Sequence, residues 1–375
     1  MAVFAEVPPP VRRPGAAARL IARAARAGAA GCYAWLAYTL VHLALSGRWW
    51  PMLLADLAPP LVFVAAPVSV AALAAADRRL RRLPLLAAAL ALALGWEGAG
   101  IDVGALGALG AQRPLRPGAV HVVSWNTQYW DQDDDAGRFY AYLRSYDADV
   151  YLLQEYLHWR GDRPARVDDT ARLRQEFPGY SIVSSGELLT LTRLPVVGSR
   201  ELDSFPWFSS VPAGSSFPQF WRYKTLRTDV QVSGRILSLY NVHVPVQLDT
   251  SHGILTPAFL GAVHDQSRRR DAAWSALSGD LAGNAGPRLV LGDLNTTPAM
   301  GELSRLDRLL APARPTGGEL YPTSWYARRL PLWRLDFAYH DAATEIDRYG
   351  FRDGGGFSDH DAQDLWVSVQ EGRTT

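Results

Sequence analysis

Four runs of this chain are apolar almost throughout, and each ends on side chains that can do chemistry. "AVHVVSWNT" (119–127) closes on Asn126, and "DADVYLLQEY" (147–156) on Gln154 and Glu155. "ILSLYNVHVP" (236–245) closes on Asn241 and His243, and "RLVLGDLNTTP" (288–298) delivers Asp293 and Asn295. A strand that is apolar on both faces has to be covered on both faces, so these runs predict central strands of a layered structure. Amphipathic stretches between them, such as "DAGRFYAYLRSY" and "DQSRRRDAAWSALSGDLAG", predict helices that cover the sheets. The expected fold class is therefore α/β. Two later strand-like stretches, "LWRLDFAYH" (332–340) and "GGFSDHDAQDLWVSV" (354–368), carry Asp336, Asp359 and His360.

The first 110 or so residues are different in kind, dominated by Ala, Leu and Val. Two segments, 29–46 and 51–76, are long enough to cross about 30 Å of hydrocarbon at about 1.5 Å per residue, although Asp56 and three prolines interrupt the second. A third, 83–96, is the weakest, and as a surface-lying or buried helix it would leave only two spans. Arginine placement sets the orientation. Arg12, Arg13, Arg19, Arg23 and Arg26 precede the first segment, and Arg78, Arg79, Arg81 and Arg82 lie between the second and third, against Arg48 alone between the first two. Three spans put everything after about residue 111 outside the cytoplasm; two would keep it inside.

The expected organisation is a basic cytoplasmic N-terminus (1–28), a multi-pass anchor in the cell membrane (29–110), a Pro- and Gly-bearing linker (111–118) and a catalytic domain (119–375). Residues 1–118 carry 12 Arg against 5 acids, and residues 119–375 carry 26 Arg plus Lys against 32 acids, so the halves are +7 and −6. An acidic domain lacks the basic footprint of a protein that grips long nucleic acid. Cys32 is the only cysteine, which excludes an intramolecular disulfide and a cysteine zinc site. Lys224 is the only lysine, which reads as compositional bias and not as function.

Glu155, Asp293 and Asp359 with the amides of Asn126 and Asn295 make a set of hard oxygen donors suited to Mg²⁺ or Mn²⁺. His243 and His360 add groups that carry a proton near neutral pH. Hydrolysis of a phosphate ester needs this combination: a cation on the non-bridging oxygens, a base for water and a donor for the departing oxygen. Each group taken alone has a bland reading, as a turn residue, a solvated charge or a structural histidine.

In order and spacing, "SWN", "LLQE", "YNVH", "GDLN", "RLDF" and "SDH" resemble the endonuclease/exonuclease/phosphatase superfamily, across about 119–368. The resemblance implies a four-layer sandwich of two mixed β-sheets flanked by helices, with the site at one edge. It implies Glu155 as principal metal ligand, Asn126 helping to place metal and phosphate, and Asp359 contributing to the metal site. Asp293 would activate water, Asn295 would bind the scissile phosphate, and His360, held in its tautomer by Asp336, would stabilise the transition state. His243 would aid the leaving group. A phosphate-touching arginine or tyrosine is also implied, and "FWRYKTLRTDV" offers Arg222, Tyr223 and Arg227 for it. Asn241 and Arg222 are taken as substrate-binding candidates.

Residues 204–221 hold six aromatics in eighteen positions. They predict either a packed loop or an apolar lip near the bilayer, in which Trp207 would bind substrate. Residues 321–333 add further aromatics with Arg328 and Arg329. The expected function is a membrane-anchored, metal-dependent phosphoesterase acting outside on a lipid-linked phosphate, with no obligate protein partner evident. The alternatives are a tethered extracellular nuclease, disfavoured by the −6 charge, and a non-catalytic membrane protein that keeps the fold.

Overall fold

The computed structural model describes residues 15–77, 81–108, 114–161, 163–248, 253–254, 256–327 and 330–370. The chain forms two compact units: one holds residues up to Ala44 with Leu61–Ala99, and the other holds Leu45–Pro60 with everything from Gly100 onward.

In the first unit α1 runs Ala16–Leu45, α2 Val62–Ala74 and α3 Arg82–Gly95. Their contacts are made by small residues, with Cys32, Ala74, Ala87 and Ala88 buried together. Among the described residues α1 alone is long and apolar enough to cross a membrane. It starts well before the expected segment, so Arg19, Arg23 and Arg26 lie on its first turns. Arg12, Arg13, Arg78, Arg79, Arg328 and Arg329 lie outside the described residues, as does part of the expected linker.

The expected continuous span at 51–76 is corrected. A single turn, Met52–Ala55, is separated from α2 by an irregular stretch, and α2 itself has only 13 residues. At about 1.5 Å per residue, α2 is about 20 Å long, short of the hydrocarbon thickness, and the 14 residues of α3 give a similar length. The cause lies in the sequence. Pro59 and Pro60 stop a helix arriving from the N-terminal side, and the Asp56 carboxylate is turned inward to accept from Ser46 Oγ at 3.0 Å. Leu45–Pro60 therefore belongs with the second unit and not with the helices on either side of it.

The second unit contains two six-stranded sheets. We number their strands β1 Val120–Asn126, β2 Val150–Gln154, β3 Ser181–Ser185, β4 Leu188–Thr192, β5 Val196–Asp203, β6 Tyr223–Val232, β7 Arg235–His243, β8 Arg288–Asp293, β9 Ala311–Pro312, β10 Asp336–His340, β11 Thr344–Arg352 and β12 Ala362–Val369. The strand orders are β11-β12-β1-β2-β4-β3 and β9-β10-β8-β7-β6-β5. Each sheet has one parallel pair near its centre, β1 with β2 and β7 with β8, and its other pairings are antiparallel. Helix α4 (Ala136–Arg144), capped by Asp135 accepting from Arg138 N at 2.8 Å, covers the first sheet through Phe139, Tyr140 and Leu143. Helix α5 (Pro257–Gly283) covers the second through Trp274, Leu277 and Leu281. The result is the expected four-layer α/β sandwich.

Strand alternation explains where the chemistry lands. Val120 and Val122 of β1, Val150 and Leu152 of β2, Leu237 and Leu239 of β7, and Leu289 and Leu291 of β8 meet in the core between the sheets. Two residues further along the same faces stand Gln154, Asn241 and Asp293, and two beyond Asn241 stands His243. On β1 the same face continues through Ser124 to Asn126. The inter-sheet core thus turns polar at the C-terminal ends of both parallel pairs.

Gly292 is required where β8 nears its end. Its φ is +147°, and a Cβ there would lie 1.8 Å from the Val242 carbonyl oxygen on β7. Gly292→Ala is predicted to destabilise the unit by about 3 kcal/mol or more, because backbone must move to admit the methyl. Gly279→Ala, on the exposed face of α5 where a Cβ meets nothing, is predicted to be neutral or stabilising by up to about 1 kcal/mol. Denaturant unfolding of the two variants in the same detergent checks the contrast.

Candidate functional site

The site begins with Asn126. Its Oδ1 accepts from the Gln128 backbone N–H at 3.0 Å, which turns the amide nitrogen toward the site. Nδ2 then donates to Glu155 Oε1 and to Asp293 Oδ2, both at 3.0 Å. One amide from the first sheet thus joins a carboxylate of its own sheet to a carboxylate of the other. Asn126 presents hydrogens to this cluster and so positions both acids.

Glu155 is the residue after β2 and has φ +60°, a left-handed conformation uncommon for a side chain of its kind. Gln128, Tyr129 and Trp130 also have positive φ, and this tight path aims the Tyr129 N–H at Glu155 Oε2, 3.1 Å away. Asn295, φ +44°, completes the set. Such conformations cost on the order of 1 kcal/mol or more each and persist where surrounding bonds fix them.

Asp293 Oδ2 is the centre of the cluster. Beside Asn126, it accepts from Asn295 Nδ2 at 3.1 Å, while His243 Nε2 and His360 Nε2 stand 3.6 and 3.7 Å away. Asp293 Oδ1 accepts from the Asn295 backbone N–H at 2.8 Å. Asn295 Nδ2 also donates to the Val244 carbonyl, so this side chain is spent on holding Asp293 in place.

Each histidine is backed by a buried acid. His360 Nδ1 donates to Asp336 Oδ2 at 2.9 Å, and Ser324 Oγ donates to the same oxygen at 2.7 Å. Burial would lower the His360 pKa, but the carboxylates of Asp336 and Asp293 outweigh it and push it up to about 10. His243 Nδ1 lies 3.1 Å from Glu187 Oε2, and there too the carboxylate overcomes burial and raises the imidazole pKa. In this setting His360 is cationic at neutral pH, and the carboxylate beside His243 favours the cationic form there too. Glu187 is itself held down to about 2: burial opposes ionisation, but His243 and Lys224 prevail.

Lys224 and Glu187 are the residues that sequence reasoning missed. Lys224 Nζ donates to Glu187 Oε1 inside the protein and lies 3.7 Å from the centre of the Phe220 ring. The missed signal was strand parity. In β6 the buried Leu226, Thr228, Val230 and Val232 share one face, and Lys224 continues it.

The other substrate-binding expectations are corrected. Arg222 ends a short helix before β6, is exposed, and pairs with Asp203. Arg227 points away from Lys224 and binds Asp229 and Asp280. Asn241 is fully buried between the sheets, accepting from Gln154 Nε2 at 2.7 Å and donating to the Leu153 and Leu189 carbonyls, so it ties the sheets together. Trp207 is half exposed and lines a groove that none of the clustered acids enters. In the same aromatic segment Phe217 is buried, while Phe208 and Trp221 lie beneath Arg268 and Arg269.

The donor set fits a divalent cation. Burial, the dominant influence, pushes the Glu155 carboxyl pKa up, as expected of an acid waiting for positive charge. Asp359 Oδ2 accepts from Trp325 Nε1 at 2.9 Å. Its field reaches the same phenol as that of Glu155: Tyr129 is pushed up to about 12 by burial, then Glu155, Asp359 and Glu187. A second grouping, Asp293, Asp336 and His360, brings one ligand atom from each within 4.8 Å of the others, a spacing that could also hold an ion. Aromatic rings flank the acids: Tyr129, Trp159 and Phe220 in a series of contacts near 6 Å, and Trp325 against Trp333 at 5.5 Å.

The sequence profile of the "Endonuclease/Exonuclease/phosphatase family" matches residues 123–360, well over half the chain. Similar solved structures include an endonuclease/exonuclease/phosphatase from Bacteroides vulgatus, 13% identical, covering 67% of this chain and 99% of that one with a TM-score of 0.47. A humanized D. rerio TDP2 is 17% identical over 67% of this chain and 100% of its own, with a TM-score of 0.46. The human Nocturnin catalytic domain with bound sulfate is 16% identical over 69% and 98%, with a TM-score of 0.45. No curated protein matches.

Removing the buried cation isolates the contribution of the Lys224–Glu187 pair. Lys224→Met is predicted to destabilise the unit by about 3 kcal/mol, because Glu187 keeps its charge with one partner gone. Adding Glu187→Gln to it should recover a large part of that loss, as measured by denaturant midpoints.

Proposed function

The chain belongs to the endonuclease/exonuclease/phosphatase family, whose members hydrolyse phosphate esters, and on that premise we propose a membrane-anchored, divalent-metal-dependent phosphoesterase acting on a lipid-linked phosphate at the outer face of the membrane. The observation that carries the chemistry is the crowding at one oxygen. Two amides and two imidazoles surround Asp293 Oδ2 within 4 Å, and Glu155 is tied to the same amide.

Glu155 and Asp359 would hold Mg²⁺ or Mn²⁺, with Asn126 setting the distance between Glu155 and Asp293. The cation would supply charge neutralisation on the phosphate oxygens. Asp293, fixed by Asn126 and Asn295, accepts the proton of the attacking water. His360, held by Asp336 through Nδ1, donates from Nε2 to a phosphate oxygen as charge builds there. His243, backed by Glu187, does the same for the departing oxygen. Lys224 adds to the positive field on Glu187, whose carboxylate in turn favours the protonated form of His243.

The anchor and the aromatic surround support a lipid-linked substrate. Helix α1 places Arg19, Arg23 and Arg26 at its N-terminal end, which favours that end in the cytoplasm and the chain after Leu45 outside. α2 and α3 leave the second unit and return to it, so as a pair they do not change the side. The acidic charge of the catalytic half favours a lipid over a long nucleic acid.

Glu155→Ala and Asp293→Ala are each predicted to lower kcat/KM by roughly a thousand-fold on a soluble phosphodiester, with EDTA abolishing the wild-type rate and Mg²⁺ restoring it. Either variant keeping most of its activity would refute the assignment. In a substrate panel, release of phosphate or headgroup from a lipid without plasmid nicking supports the lipid reading, and the reverse result replaces it with a nuclease. A reporter that works only outside the cytoplasm, fused after residue 118, is predicted to be active; silence would place the catalytic unit inside.

A further inference from the structure

Three aromatic rings beside the acids have no part in the proposed proton transfers. Tyr129 comes from the loop after β1, Trp159 from the short strand Leu157–Arg160 that follows Glu155, and Phe220 from the short helix Pro218–Arg222. Tyr129 and Trp159 meet at 6.0 Å and 75°, Trp159 and Phe220 at 6.1 Å and 83°, so the three form one continuous wall. All of it lies within the second compact unit. Tyr129 is 36% exposed and the other two rings are half-buried, which leaves apolar surface open to solvent next to buried charge.

Both ends of the wall are tied to groups of the site. At one end the Tyr129 backbone N–H donates to Glu155 Oε2 at 3.1 Å. At the other the centre of the Phe220 ring lies 3.7 Å from Lys224 Nζ, Lys224 binds Glu187, and Glu187 Oε2 stands 3.1 Å from His243 Nδ1. His360 is instead backed by Asp336 and Ser324. The rings therefore run along the flank of His243, the residue assigned to the departing oxygen. Their chemistry suits an apolar, flexible group. Neighbouring rings are close to perpendicular, so no adjacent pair offers the parallel faces between which a planar base would be sandwiched. The polar groups around them are already engaged: His158 Nε2 lies 3.2 Å from Asp131 Oδ1, and the Trp159 backbone N–H donates to Gln132 Oε1 at 2.5 Å.

We propose that Tyr129, Trp159 and Phe220 seat the aliphatic part of the alcohol esterified to the phosphate, so that the apolar alcohol is the group that leaves. The oxygen of water bonds to phosphorus and its proton passes to Asp293; the bond between phosphorus and the apolar alcohol breaks, and the alcohol oxygen takes a proton from His243 Nε2. Trp159, in the middle of the wall and in contact with both other rings, sets the preference for a long alcohol over a short one. The proposal rests on the hydrolytic reading of this site and is independent of the membrane anchor.

The test gives the full chain in mild detergent the ethyl, butyl and hexyl esters of phosphocholine and separates the products. Wild type is expected to release phosphocholine and the alcohol, with kcat/KM rising about two-fold or more for each added methylene. Trp159→Ala is expected to lose most of that rise while turning over the ethyl ester within about two-fold of wild type, and Trp159→Phe to keep it. A rise unchanged in Trp159→Ala, an equal loss on all three esters, release of choline with an alkyl phosphate, or faster turnover of the adenosine ester than of the hexyl ester would each overturn the proposal. Calorimetric titration with ethylphosphonate and hexylphosphonate separates it from the hydrolytic reading. Tighter binding of hexylphosphonate to wild type than to Trp159→Ala, with no ester hydrolysed, would uphold the wall as the apolar seat and refute the chemistry; equal binding of the two phosphonates would overturn the wall.

Discussion

Everything at the candidate site depends on one amide placed between two acids. The Glu155 and Asp293 oxygens that Asn126 Nδ2 binds can be no more than about 6 Å apart, since each is 3.0 Å from the same nitrogen. Two full negative charges at that separation repel by about 3 kcal/mol at an effective dielectric of 20. The amide hydrogens offset part of this, and the rigid sheets supply the rest of the restraint. Gln154 and Asn241 make a second bridge further in, so the separation of the sheets is fixed by apolar packing below and by amide bridges above. The acids cannot relax apart without opening that core. A site strained in this way gains from a cation, because the cation removes the repulsion that the fold enforces.

Much of this was legible in the sequence, for a physical reason. Side chains alternate along a strand, so an apolar run ending in Asp293 declares both the strand and the face on which its acid stands. The α/β layering and the chemistry at the strand ends follow from that rule applied to several strands, whereas the four-layer architecture and the roles of Asn126, Glu155, Asp293, His243 and His360 in one site came from the family resemblance. Failures came where the rule was applied to only one strand at a time. Asn241 sits at a strand end like the others, yet its position opposite Gln154 makes it a bridge inside the protein. Lys224 was set aside as composition, because a lone lysine in an arginine-rich chain attracts no notice until its strand neighbours are seen to be buried. Glu187, alone before a short strand, has no pattern to betray it; only the approach of Lys224 and His243 gives it meaning.

The other departure concerns where the catalytic unit begins. Hydropathy joins residues 51–76 into one span because a window average is insensitive to one aspartate and two adjacent prolines. The structure resolves the conflict by giving Leu45–Pro60 to the catalytic unit. Gly47 and Gly301 allow this: a Cβ on Gly301 would lie 2.2 Å from the Ser46 carbonyl oxygen, and one on Gly47 2.6 Å from the Glu302 nitrogen. Leu53 adds apolar contact with Phe259, Val263 and Met300, and the Trp333 indole donates to the Leu57 carbonyl at 3.2 Å. The Trp325–Trp333 pair beside Asp359 and the loop that follows Asn295 are therefore both braced by a segment that hydropathy largely assigns to the lipid.

That bracing has a consequence for how the protein is made. The Gly301 N–H donates to Ser46 Oγ across 255 residues of sequence, and closing so long a loop costs roughly 5 kcal/mol of chain entropy. Leu45–Pro60 is synthesised well ahead of its partners Phe259, Val263, Met300 and Gly301. Trp50 and Leu53 lack their final neighbours until His264, Phe259, Val263 and Met300 have been made, so the bracing beneath the candidate site is a late event, completed only when Gly301 returns to Ser46.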